Sequence, residues 1–117
     1  MSNQLRAVLL IAEHPAISHV MLPLIAIARE DIDWRSLNYG VLSGGQKAAV
    51  SWLYSIWTDG PVPKGWRDPF EGFGVMDRKL QLLVLQALAT RHETLKPPSA
   101  LEQRLIRQAV EMQTENL

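Results

Sequence analysis

The clearest periodicity in the chain lies between Ser43 and Thr58. On a helical wheel Ala49, Val50, Leu53, Ile56 and Trp57 share one side, Trp52 borders it, and Lys47, Ser51, Ser55 and Thr58 fall opposite. That pattern predicts an amphipathic helix. An earlier helix is predicted from Ser2, as its cap, to about Glu13, because Pro15 disfavours helical geometry at His14. A second is expected over Pro23–Glu30, with the proline tolerated in the first turn. Asp33 is placed to cap one short turn through Asn38, and Gly40 then breaks the chain.

The fourth periodic segment, Met76 to His92, is apolar around most of its circumference, with Lys79, Gln86 and Thr90 as a narrow polar strip. Such a helix belongs at the centre of a bundle or in an oligomer interface, and the bundle centre is expected here. A last helix opens at Ser99, which forms a capping box with Glu102. Its inward stripe is expected to be Leu101, Leu105, Ile106, Ala109 and Met112. Between the third and fourth helices, residues 59–75 hold three prolines and four glycines, which argues against a regular element. The expected fold is therefore all-α, a single domain over residues 1–117: a compact bundle of about five helices with one long aromatic-rich loop.

Composition supports a folded domain: 47% of residues are hydrophobic and 21% charged, well away from the disordered class. Twelve basic and twelve acidic side chains cancel, which counts against nucleic-acid binding, since phosphate neutralisation supplies much of that affinity. The absence of cysteine excludes disulfides and thiolate zinc sites. It fits a reducing compartment, so a cytoplasmic location is expected. The apolar runs Ala7–Ala12 and Val20–Ala28 are too short for a secretory core or a bilayer span, so both are expected to be core segments with no membrane role.

One short stretch, "LSGGQ" at Leu42–Gln46, resembles the signature pentapeptide of ABC-type ATPases. In that family its serine and glycines contact nucleotide phosphate held in a partner subunit's phosphate loop. The resemblance covers five residues, and the chain has no GxxxxGK[ST] loop. In "GVLSGGQK", Gly40 and Gly45 are spaced for one, but Gln46 takes the lysine position and Lys47 the hydroxyl position. Ser43 and Gln46 instead have the spacing of a capping box. Gly44 and Gly45 are then unexplained, because alanine is the better helix former. With Ser43 and Lys47 they form a candidate for an anion or close backbone contact.

The remaining candidates are sparse. His14 and His19 lack zinc-ligand spacing, and with His92 they are read as structural or surface residues. Glu30, Asp31 and Asp33 read as a solvated turn rather than an acid–base pair. No nucleophile context is present, so neither enzyme activity nor a metal or other cofactor is expected. Arg104, Arg107 and Gln108 on the last helix offer a DNA-reading alternative, interrupted by Glu111. The favoured surface is the loop, where Trp66, Arg67, Phe70 and Phe73 gather residue types enriched in binding hot spots. The opposing reading folds Trp66 and Phe70 back onto Trp52 and Trp57. The expected function is a small interaction or structural subunit. It would bind a protein partner, or a second copy, through this loop and the apolar fourth helix.

Overall fold

Ser2 opens the first helix, its Oγ accepting the Leu5 N–H at 3.1 Å, and α1 runs over Asn3–Ala12. The computed structural model describes residues 1–92, Arg104 and residues 107–112. After α1 come α2 (Ser18–Met21), two paired strands β1 (Ile25–Ala26) and β2 (Asp31–Ile32), α3 (Gly44–Thr58), α4 (Pro69–Phe73) and α5 (Arg78–Arg91). Three 3-10 turns, at Leu22–Leu24, Trp34–Ser36 and Tyr39–Val41, carry the chain between them. Arg104 and residues 107–112 are helical and exposed. The molecule is mostly helical, as the periodicity predicts, but it is not all-α.

The strands replace the helix expected over Pro23–Glu30. Pro23 instead lies in the 3-10 turn, and Ile25 pairs with Ile32 in an antiparallel ladder where both side chains are buried. Ala26 and Asp31, the next pair, turn away, which is the two-residue period of a strand. Ile25 and Ile27 are β-branched and lose rotamer freedom in a helix, so the hairpin suits them better. Glu30 closes the turn at φ 50°, and its carboxylate accepts the Ser2 N–H at 2.6 Å. Asp33 stands at the N-cap of the following turn, as expected, but its side chain caps no backbone N–H; its carbonyl accepts the Ser36 N–H at 3.4 Å and its Oδ2 the Ser36 hydroxyl at 2.6 Å.

The capping box at the start of α3 is present in both directions. Ser43 Oγ accepts the Gln46 N–H at 3.2 Å, and Gln46 Oε1 accepts the Ser43 N–H at 2.8 Å. The same glutamine's Nε2 donates to the Ala16 carbonyl at 2.9 Å, so one side chain both caps α3 and ties it to the turn before α2. Once begun, α3 is the central helix. Ala49, Val50, Leu53 and Ile56 are buried as the wheel predicts, but so are Ala48, Ser51 and Trp52.

The reason lies in small residues. A Cβ built on Gly72 of α4 would stand 2.8 Å from the Ala48 Cβ, so glycine against alanine lets α4 close over a second face of α3. On other sides α3 packs against α1 and α5. The expectation that the apolar fourth helix holds the centre is thereby corrected. That helix, α5, buries Leu80, Val84 and Ala87 and packs mainly on α1, while Leu82 and Leu85 stay more than half exposed. On the last helix, Ala109 and Met112, expected inward, are also exposed. The proposed Ser99–Glu102 box and Leu101, Leu105 and Ile106 lie outside the described residues.

Helix ends are fastened by side chains reaching orphan carbonyls. Gln4 Nε2 donates to the Trp57 carbonyl, Arg91 Nε to Ile56 at 3.0 Å, and Gln81 Nε2 to Phe73 at 2.9 Å. His14 is buried. Its Nδ1 accepts the Ala16 N–H at 3.1 Å, so Nε2 carries the proton toward Asp77 Oδ2 at 3.3 Å. Asp77 in turn caps α5, its Oδ1 accepting the Leu80 N–H at 2.7 Å.

Two glycine substitutions separate close packing from simple capping. Gly72→Ala is expected to destabilise the fold by about 1–3 kcal/mol, as overpacking does. Gly45→Ala, whose new Cβ would meet open space, is expected to leave stability unchanged or raise it by up to ~1 kcal/mol. Urea unfolding followed by circular dichroism measures both.

Candidate binding groove

The segment 59–75 is ordered by its own backbone and then docked. Asp59 ends α3 in the left-handed conformation (φ 54°, ψ 42°), its N–H reaching the Ser55 carbonyl. Gly65 takes φ +90°, a value a side chain rarely adopts, and Trp66 N–H closes a turn onto the Pro63 carbonyl at 3.1 Å. The chain then meets Tyr39. The Tyr39 hydroxyl accepts the Arg67 N–H at 2.8 Å and lies 3.0 Å from the Oγ of fully buried Ser51 on α3. Its ring stacks on Trp66 with centroids 4.2 Å apart and planes 3° from parallel. Tyr54 and Trp34 stand edge-on to the same indole at 5.1 and 6.2 Å.

Beyond this anchor the expected irregular loop contains a helix. Asp68 accepts the Phe70 N–H at 2.8 Å and the Glu71 N–H at 3.4 Å through one carboxylate oxygen, and Pro69 occupies the first helical position. Asp-Pro is a helix-start signal, and reading the segment only for its breakers hid it. On α4, Phe73 is half-buried with its ring 6.0 Å from Trp52. Phe70 stands edge-on to Trp52 at 5.1 Å, yet 80% of it is exposed.

Between the end of α3, the loop, α4 and the end of α5 lies an open groove of about 640 Å³. Trp52, Pro61, Pro63, Trp66 and Phe70 form its apolar lining, and Asp59, Lys64, Asp68 and His92 supply its charged and titratable groups. Asp59 Oδ1 and His92 Nε2 are 3.8 Å apart across it. The Trp52 indole N–H is buried without an acceptor. The volume lies within the ordinary range for ligand sites.

The four loop residues expected to bind a partner are therefore placed differently from one another. Trp66 is folded back, onto Tyr39, Trp34 and Tyr54 rather than onto Trp52 and Trp57. Arg67 turns from the groove toward the start of α3, its guanidinium 3.5 Å from where a Gly44 Cβ would be. Phe73 packs inward, and Phe70 alone of the four presents an exposed ring. Trp52 and Tyr39, the residues that organise the site, were missed because each reads as an ordinary core or turn residue.

At the other candidates, a Gly44 Cβ would meet the Arg67 guanidinium at an ordinary contact distance, Gly45 faces open space, Ser43 caps, and Lys47 Nζ lies 5.8 Å from the Tyr39 ring centroid. Arg104, Arg107 and Gln108 are exposed on helical backbone. His14 spends both ring nitrogens on structural partners, so it has none free to take a proton from a substrate. Among the described residues no three His, Asp or Glu side chains gather as a metal site. No helix there is long and apolar enough to cross a membrane.

Removing one oxygen tests the anchor. Tyr39→Phe keeps the ring for stacking but leaves the Arg67 N–H and buried Ser51 without their shared partner. A loss of about 1–3 kcal/mol in unfolding free energy is expected. An unchanged urea midpoint would mean that the stack alone holds the loop.

Comparison with protein-family models, with curated proteins and with solved structures finds no match to this chain.

Proposed function

We propose that this chain is a non-catalytic binding module that engages a protein partner, or a second copy of itself, through the groove beside α4. The observation that carries the reading is Phe70. Every other ring of the segment is packed, while this one is held out at the groove by a capped, proline-started helix. Leaving a phenylalanine in water forgoes about 1.5–3 kcal/mol of burial, and binding recovers it. Interface hot spots are built this way, from an aromatic anchor beside a pocket. Leu82 and Leu85 on α5 add a second exposed apolar row, in keeping with an interaction role. The non-catalytic part of the reading is supported by the structural use of His14, both of whose ring nitrogens are engaged.

A DNA-binding role is the second reading, favoured by the exposure of Arg104, Arg107 and Gln108. Zero net charge and the exposed Glu111 stand against it. A gel-shift series from low to high salt decides it, and no shift at low salt removes it.

For the groove, Phe70→Ser is the informative change because it removes exposed rather than packed surface. Its unfolding midpoint is expected to stay close to that of the parent. Light scattering reads self-association, and quantitative affinity purification from the source cells reads a partner. The parent is expected to hold a dimer or a defined partner at least about tenfold more tightly than Phe70→Ser. Identical behaviour of the two proteins would overturn the reading.

A further inference from the structure

Trp52 lies in the groove wall and is only 5% exposed, and its indole N–H has no hydrogen-bond partner. Its ring neighbours Phe70 and Phe73 offer π faces but no oxygen. An indole is a donor only, and a buried donor without an acceptor is uncommon enough to require a cause. Trp34 has an unpartnered N–H as well, but it is packed against Tyr54 and Trp66 and does not line the groove. At Trp52 the neighbour with room to move is Phe70, most of whose surface is in solvent.

We infer that the groove takes an extended, proline-containing peptide segment with basic flanks, and that a backbone carbonyl of this segment accepts the Trp52 indole N–H as Phe70 shifts aside. The inference rests on the reading of the groove as a binding surface. Three features select this ligand. Aromatic side chains line the walls, Phe70 largely exposed and Trp66 half-buried, with Trp52 edge-on to Phe70, and aromatic-lined grooves suit prolyl rings and the preformed polyproline II conformation. The acceptor must be a carbonyl not already engaged. A helical ligand uses its carbonyls internally, and a ligand strand needs a sheet edge, whereas the groove is walled by helices and loop. A polyproline II segment leaves its carbonyls free. Charge supplies the flanks: Asp59 and Asp68 line the groove and Glu71 adjoins Phe70, against Lys64 and an imidazole, His92, already beside Asp59.

The test uses the full chain labelled with nitrogen-15. Its four tryptophans give four indole N–H signals, and that of Trp52 is the one missing in Trp52→Phe. If that variant does not fold, through-space contacts to Phe70 and Phe73 assign the signal instead. The titrant is an end-blocked ten-residue peptide with a Pro-x-x-Pro core and two arginines. A second peptide has alanine in place of each proline.

The Trp52 indole proton is expected to move downfield and saturate, with at least fivefold weaker binding for the alanine peptide and for Phe70→Ser. Binding that leaves this proton unmoved would overturn the carbonyl contact, and equal affinity for both peptides would overturn the proline class. Concentration-dependent movement of the signal without peptide would make a second copy the occupant and overturn the inference. Absence of any shift would also overturn it. A partner or dimer still lost in Phe70→Ser would then leave the broader binding reading standing.

Discussion

The Tyr39 hydroxyl is where the loop after α3 is joined to the turn before it. It sits in a 3-10 turn before α3, touches a buried serine on α3, and receives a backbone N–H from the returning loop. Its ring meanwhile carries the Trp66 indole. One side chain thus fixes where residue 67 lies, and with it where Asp68 can start α4. A loop of this length has many conformations to lose, and a single hydrogen bond contributes only about 1 kcal/mol net. The stack and the two edge-on rings supply the rest, so the anchor is a polar contact shielded by four aromatic side chains.

From that anchor, the centre of the bundle follows. Once α4 is positioned, Gly72 and Ala48 let it approach α3 closely enough to bury the side of α3 carrying Ala48 and Trp52. Ser51 is tolerated inside because Tyr39 satisfies its hydroxyl; unpaired, it would cost about 1–3 kcal/mol. A helix buried on so many faces occupies the middle whatever its neighbours' hydropathy. α5 carries as many apolar residues as α3, eight each, yet it contributes one row to the core and presents another to solvent. Apolar content measures how much a helix gains from burial. It does not say which neighbours have side chains small enough to provide it.

What the sequence made legible divides along that line. Local signals were read correctly: the caps at Ser2 and Ser43, the end of α3 near Thr58, and the start of α5 close to Asp77. Each depends on a few consecutive residues and on backbone groups that must be satisfied. The strand pair was not legible, because Ile25 and Ile32 form it across seven residues and each strand is too short to show an alternation. The groove was half legible. Prolines and aromatics marked the segment, but which ring faces water was decided by Tyr39, twenty-seven residues before Trp66 in the chain.

That partition also bears on "LSGGQ". Three of its five residues have structural work in this fold: Leu42 is buried, Ser43 and Gln46 make the capping box, and Gln46 reaches the Ala16 carbonyl. Gly44 lies beside the guanidinium of Arg67, at a distance a Cβ would also allow, and the backbone N–H of that arginine is held by Tyr39. The pentapeptide is therefore coupled to the same anchor as the loop, through an arginine that packs against the start of α3 and donates its amide to the tyrosine. Neither Gly44 nor Gly45 has a contact here that requires glycine. A phosphate-binding signature is defined by what its glycines leave open, and here this chain's own arginine lies beside one of the two.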